Sequence, residues 1–420
     1  MADLFDKCKT AEGYFGQFRA MGDNYYTRPT LDSLPGTRMD FMGKEQIMWS
    51  VNNYLGLAQN EEIKEIAKTA ISTHSISAPM GSRMMSGTTT DHLEFEKKLA
   101  AFAQKEAAMV FNYGYLGVLG TISSLVGQDD IIIMDKLAHA SIVDGVFLSR
   151  APFRVFKHND MNSLEIVLKR VNRERKGGVL IVAEGTYGMT GDLAKLPEMC
   201  ELKEKYDARI FIDDAHGVGT LGEMGRGTAD HFGVQDKIDI YFGTFAKSFA
   251  SIGGFSASDK DVIDWILFNA RTQVFAKSLP MVYVRTLTRT LDMIMNGDDL
   301  RKKMRDNSNK LKNGLRDLGF YVGEGESPIC AVFTPLEDRV LEEIGGKMIT
   351  YLREKGVFVT GILYPVIPLG LFMFRMIPTA AHSDEEIETT IKVFKEMRDD
   401  LKLDPSMKGE DLASIRKIYG

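Results

Sequence analysis

The stretch "DIYFGTFAKSFASIGGF", residues 239 to 255, follows a short apolar run with a single lysine, Lys247, set among small and hydroxylated residues. A strand-end lysine in such company loses solvation on folding, which lowers its pKa and makes its amine usable for a Schiff base. Thr244, three residues earlier, can hydrogen-bond a phosphate from the same turn. Other apolar runs also end in chemistry-bearing residues. "RIFIDD" leaves Asp213 near its end and His216 three residues on, "IIIMD" is followed by "KLAHASIVDG" with His139, and "AAMVF" by "NYGYLGVLG" with Gly114 and Tyr115.

Taken singly, each has a plain reading. A glycine turn that opens a helix offers free N–H groups, including that of Tyr115, to a phosphate, and is equally an ordinary strand-to-helix connection. His139 at a helix start serves as a surface or capping residue as readily as a functional one. Asp213 either caps a helix or holds a protonated ring nitrogen of a ligand. Together they supply an amine, a phosphate cradle and a pyridine partner, the parts needed if pyridoxal phosphate is to act as an electron sink.

The elements that must position them are legible in the pattern. From about residue 105, "AAMVF", "IIIMD", "FRVF", "VLIVAEG", "RIFIDD" and "IDIYFG" alternate with amphipathic stretches such as "NSLEIVLKRVNRE". Such alternation predicts crossover units in a mostly parallel, doubly wound α/β sheet. Ligands of such sheets sit beyond the carboxyl ends of the strands, where these residues fall. The organisation expected is an N-terminal segment over 1–49, a large α/β domain over 50–285 and a smaller α+β domain over 286–420. The last contains the strands "ICAVF" and "VFVTGI" and a closing helix "SDEEIETTIKVFKEMRDDL".

Composition narrows the function class. The 420 residues are 44% hydrophobic and 26% charged, with a formal net charge of −6, so there is no basic footprint for nucleic acid and no polybasic lipid anchor. Cys8, Cys200 and Cys330 have no metal or redox spacing, and free thiols in a reducing compartment, the cytoplasm, are the simplest account. The N-terminus lacks the apolar core of a signal peptide. The apolar stretch "LYPVIPLGLFMF", 363 to 374, is too short to span a membrane and contains two prolines. It reads as a buried loop and strand, or as an acyl channel or peripheral membrane contact.

These motifs resemble those of the α-oxoamine synthases, pyridoxal-phosphate enzymes of fold type I that condense an amino acid with an acyl-CoA and lose carbon dioxide. The resemblance runs from about residue 45 to 398 and rests on "NNYLGL", "GSRMMSGTTTDHLEFEKKLAAF", "HASIVDG", "DDAHGVGTLGEMGRG", "GTFAKS" and "RMIPTAAHS". It implies a homodimer with active sites at the subunit interface. It also implies that Lys247 carries the cofactor and later moves the α-proton. His139 would stack on the cofactor ring, Asp213 pair with its nitrogen, and His216 bond its phenolic oxygen. Gly114, Tyr115 and Thr244 would form the cradle, Asn52 would help hold substrate, and Arg375 would bind the amino acid's carboxylate. By its residues alone, Arg375 also reads as an exposed strand arginine.

Within the family, "GTFAKSFASIGGF" and "DVIDWILFNARTQVFAKSLP" are most similar to the bacterial serine palmitoyltransferases, implying L-serine and palmitoyl-CoA as substrates and 3-ketosphinganine as product. The short-chain readings are glycine with acetyl-CoA or alanine with pimeloyl-CoA. An aminotransferase on the same fold and a non-catalytic partner subunit stand outside that chemistry. Three departures from the family pattern stand out: Gly188 where relatives usually carry a serine that contacts the cofactor, Pro79 in the run before "GSR" near the substrate pocket, and Ala276 and Lys277 where a serine or threonine pair often reaches the phosphate across the dimer.

Overall fold

The six apolar runs form six strands, Ala107–Phe111, Ile131–Asp135, Phe153–Phe156, Val179–Glu184, Arg209–Asp213 and Ile240–Thr244. The computed structural model describes residues 3–10, 13, 16, 25–335, 341–363, 366–367, 371–406, 412–413 and 415. A seventh strand, Gly254–Ser258, lies between Ala107–Phe111 and Ile240–Thr244, antiparallel to both. Beyond Ile240–Thr244 the sheet continues through Arg209–Asp213, Val179–Glu184, Ile131–Asp135 and Phe153–Phe156, all parallel. The first strand therefore points the same way as the parallel five, and six carboxyl ends share one edge.

Both sheet faces are covered. In Val179–Glu184 every residue is buried, with Val179, Ile181 and Ala183 in one core cluster and Leu180 and Val182 in another. A strand buried on both faces must be apolar throughout, which is why these runs do not alternate in the sequence. Gly254–Ser258 gives no such signal, because "GFSAS" is small and polar although every residue of it is buried.

A second sheet, four-stranded and antiparallel, is formed by Tyr321–Val322, Cys330–Pro335, Leu371–Met376 and Thr360–Ile362. Its core includes Leu311, Met348 and Phe394, one from each of the helices Asp298–Asp317, Leu341–Glu354 and Asp384–Asp400. The last begins in a capping box, with Ser383 and Glu386 each bonding the other's backbone N–H. The N-terminal segment does not stand apart: Arg38–Phe41 and Lys44–Met48 make a three-stranded sheet with Val357–Phe358. The expected boundary at 285/286 falls inside the helix Met281–Met295, whose Val284, Leu287, Leu291 and Ile294 lie in the large core. Core membership changes along the next helix, between Met304 and Leu311.

In the apolar stretch 363 to 374, Leu371 to Phe374 are buried strand residues packed in the core of the small domain. They form the buried strand of the plain reading. Residues 364–365 and 368–370 of that stretch lie outside the described residues. No helix among the described residues is long and apolar enough to cross a membrane.

Candidate active site

Lys247 sits in a tight turn after Ile240–Thr244, closed by hydrogen bonds from Ala250 N–H to the Lys247 carbonyl at 2.8 Å and from Ser251 N–H to the Phe245 carbonyl at 2.9 Å. Buried Phe245 and Phe249 flank it and hold the turn down. Its ammonium makes no hydrogen bond or ion pair among the described residues. Burial lowers its pKa, Asp213 and Glu184 pull the other way, and Arg375 adds to the lowering.

Asp213 ends its strand almost fully buried, and its Oδ1 accepts one bond, from Ala215 N–H at 3.1 Å. Burial raises its pKa to about 6, against the pull of Lys247. The adjacent Asp214 is used up structurally, accepting from Thr228 N–H and Oγ1–H at 2.6 Å each and from Tyr241 at 2.9 Å. Of the two neighbouring acids, only Asp213 is left for a ligand.

His216 is buried, with Nδ1 2.8 Å from the Tyr54 hydroxyl. Burial, then Lys247 and Arg375, push its pKa well below the ordinary value, so the ring is neutral. His139 caps the helix Ala140–Ser149: its Nδ1 accepts from Ser141 N–H at 3.2 Å and lies 2.8 Å from Ser141 Oγ. The capping role is real, and it leaves Nε2 and the ring face open on the exposed side of the site. Burial and Lys247 lower the pKa of this ring too.

At the first strand's carboxyl end, the helix Gly114–Leu125 starts without a side-chain cap. A Cβ at Gly114 would lie 2.7 Å from Thr244 Oγ1, so only glycine lets the two chains approach. Thr244 already donates to the Gly253 carbonyl at 3.0 Å, which ties its one hydroxyl proton to the turn. The Tyr115 side chain turns outward to Asp144, leaving its backbone N–H at the helix start.

Arg375 is held from two sides, Nε donating to the Gly188 carbonyl at 2.6 Å and Nη2 to Asn52 Oδ1 at 3.3 Å. Both partners are neutral, and it forms no salt bridge among the described residues. The pairing is not that of an exposed strand arginine. Burial lowers its pKa.

Pyridoxal phosphate fits what is present. Uncapped N–H groups at a helix start suit the phosphate, the approach at Gly114 leaves no room for a side chain, and Asp213 is a buried acid with little else to bind. Lys247 supplies the amine.

Two residues escaped the sequence reading. Tyr54 lies inside "NNYLGL", but nothing in that motif shows that it reaches His216. Glu184 ends its strand beside Asp213, the two being paired in register. Burial, then Asp213, raises its pKa to about 8. Lys277 is exposed within its own chain, its Nζ 2.9 Å from Met80 Sδ.

A family model, aminotransferase class I and II, matches residues 44–394. The chain is 43% identical over 96% of its length, and 96% of the relative's, to a cysteate-C-fatty acyltransferase of Capnocytophaga ochracea. It is 39% identical to an 8-amino-7-oxononanoate synthase of Thermoanaerobacter pseudethanolicus, over 90% of this chain and 94% of that one. Among solved structures, the serine palmitoyltransferase of Sphingomonas wittichii matches with a TM-score of 0.89 at 33% identity, covering 96% of this chain and 99% of that chain.

Proposed function

Because the chain belongs to the pyridoxal-phosphate-dependent class I and II aminotransferase family, as an acyltransferase of its α-oxoamine synthase branch, we propose that it condenses an L-amino acid with a fatty acyl-CoA, releasing CoA and carbon dioxide to leave an amino ketone. The carrying observation is Arg375, a largely enclosed guanidinium without a carboxylate partner among the described residues, close enough to Lys247 to help lower its pKa. Such a group is a receptor for the carboxylate of an incoming amino acid.

The residues then divide the work. Arg375 and Asn52 orient the amino acid, and Lys247 Nζ, its basicity lowered by burial, takes and returns the α-proton. Asp213 would hold the pyridine nitrogen of the cofactor in its protonated form, and His216, with its proton on Nε2, would donate to a cofactor oxygen. When bound, pyridoxal phosphate delocalises the electron pair left on the α-carbon. His139 would cover the cofactor ring on the open side, where a second copy of the chain would close the site.

For the amino acid we favour L-cysteate, because the relative that matches along 96% of both chains is a cysteate acyltransferase. L-serine, the expectation from the sequence motifs, is the second reading, supported by the structural match to a serine palmitoyltransferase. The test is thiol release by cofactor-loaded protein with palmitoyl-, pimeloyl- or acetyl-CoA and, separately, L-cysteate, L-serine, glycine and L-alanine, with the product identified by mass. Release with cysteate alone establishes the first reading, and release with serine the second. Turnover only with acetyl- or pimeloyl-CoA would overturn the fatty-acyl reading.

A further inference from the structure

His158 lies outside the cofactor cradle, yet it is buried and bonded at both ring nitrogens to carboxylates: Nδ1 to Asp135 Oδ1 at 2.8 Å and Nε2 to Asp192 Oδ2 at 2.7 Å. Asp135 ends the strand Ile131–Asp135, and Asp192 ends the glycine-rich turn "GTYGMTGD". A neutral imidazole has one donor and one acceptor nitrogen and would set a lone pair against one of these carboxylates. Two donated bonds require the imidazolium.

The turn so gripped leads to Arg375. Asn159 extends the grip, donating to the Leu193 carbonyl at 2.8 Å and accepting from Lys195 N–H at 3.0 Å. Within the turn, Tyr187 N–H donates to the Asp192 carbonyl at 3.0 Å and Gly191 N–H to the Tyr187 carbonyl at 2.9 Å. The Tyr187 ring stands edge-on to His158, centroids 4.3 Å apart. One residue further on, the Gly188 carbonyl receives Arg375 Nε.

We propose that His158 is a positioning residue for the amino-acid substrate: as a cation between Asp135 and Asp192 it fixes the turn 185–193, and the Gly188 carbonyl of that turn aims Arg375. The inference rests on the reading of Arg375 as the carboxylate receptor. Burial works against the charge on His158, but the two carboxylates outweigh it and hold its pKa at about 9. The other titratable or charged groups that face this turn are Tyr187 and Glu184, both held protonated by burial, Asp214 beside Gly185, His216 beside Gly188, held neutral by burial, and Arg375. Nothing in the imidazole touches the reacting atoms. Its effect on catalysis passes through the turn.

The test compares wild type with His158→Gln, which keeps the polar bulk without the charge, and with Asp192→Asn, which removes one grip. Two readouts are taken on cofactor-loaded protein. The first is hydrogen exchange at the Tyr187 and Gly191 amides without substrates. The second is titration with L-cysteate or L-serine, followed by cofactor absorbance, together with KM for each substrate. The expected result is faster exchange at both amides and amino-acid KM and Kd raised about tenfold to hundredfold, with KM for palmitoyl-CoA and cofactor content held within about twofold. Unchanged exchange would overturn the proposal, as would equal losses for both substrates. Wild-type protein that binds neither amino acid would refute the reading of Arg375, while the exchange comparison would still decide whether His158 holds the turn.

Discussion

The Tyr54 hydroxyl lies 2.8 Å from Nδ1 of His216, and both groups are buried. Burial raises the Tyr54 pKa far above the ordinary phenol value, so the phenol keeps its proton, and Nδ1 is the only acceptor it meets among the described residues. Tyr54 therefore donates, and the neutral His216 ring must carry its own proton on Nε2. A residue on the loop that leads to the helix Glu61–His74 thus sets which nitrogen of the histidine after the strand Arg209–Asp213 can donate to a ligand.

Removing that hydroxyl frees the tautomer. Tyr54→Phe should lower kcat about tenfold while costing roughly 1 kcal/mol of stability, the scale of one buried hydrogen bond. Steady-state rates beside urea unfolding would check it, and an unchanged kcat would separate Tyr54 from the chemistry.

Lys247→Ala should abolish turnover and the visible absorption of lysine-bound cofactor, because no other described residue brings an amine to Asp213. The apoprotein should remain folded, since the Lys247 ammonium holds nothing else in place. A variant that keeps the colour would place the covalent attachment elsewhere.

Gly188 is tight for a reason that can be tested by adding one carbon. A Cβ there would lie 2.3 Å from His216 Nε2, closer than real contacts allow. Gly188→Ala should push the imidazole away from the nitrogen that donates, cutting kcat by about tenfold or more, with a small change in melting temperature. Wild-type kcat in the variant would show that His216 has room to move without loss.

Glu184 makes stability depend on pH. Its folded pKa of about 8 stands above the ordinary 4.5, raised first by burial and then by Asp213. Folding therefore takes up a proton between those values. The stability linked to this proton is complete below about pH 4.5 and is lost as pH rises through about 8. Urea midpoints of cofactor-free Glu184→Gln should fall less steeply across that window than those of wild type. Parallel profiles would mean that Glu184 is ionised in the fold.

Some of this protein was readable without coordinates. Five of the six apolar runs became parallel strands because a sheet covered on both faces requires unbroken apolar segments, and the sixth runs in the same direction at the edge. From that topology it followed that Gly114, His139, Asp213, Thr244 and Lys247 share one edge. Long-range contacts left no such trace. The strand Gly254–Ser258 is small and polar in sequence, and only its place between two other strands makes it a strand. The neutral partners of Arg375, the donor on His216 and the bracketing of His158 by Asp135 and Asp192 each join residues far apart in the chain. A periodic pattern encodes which face of an element is buried. Which polar group meets which, and so which side chain keeps its charge, is decided only when the chain closes around them and removes the water.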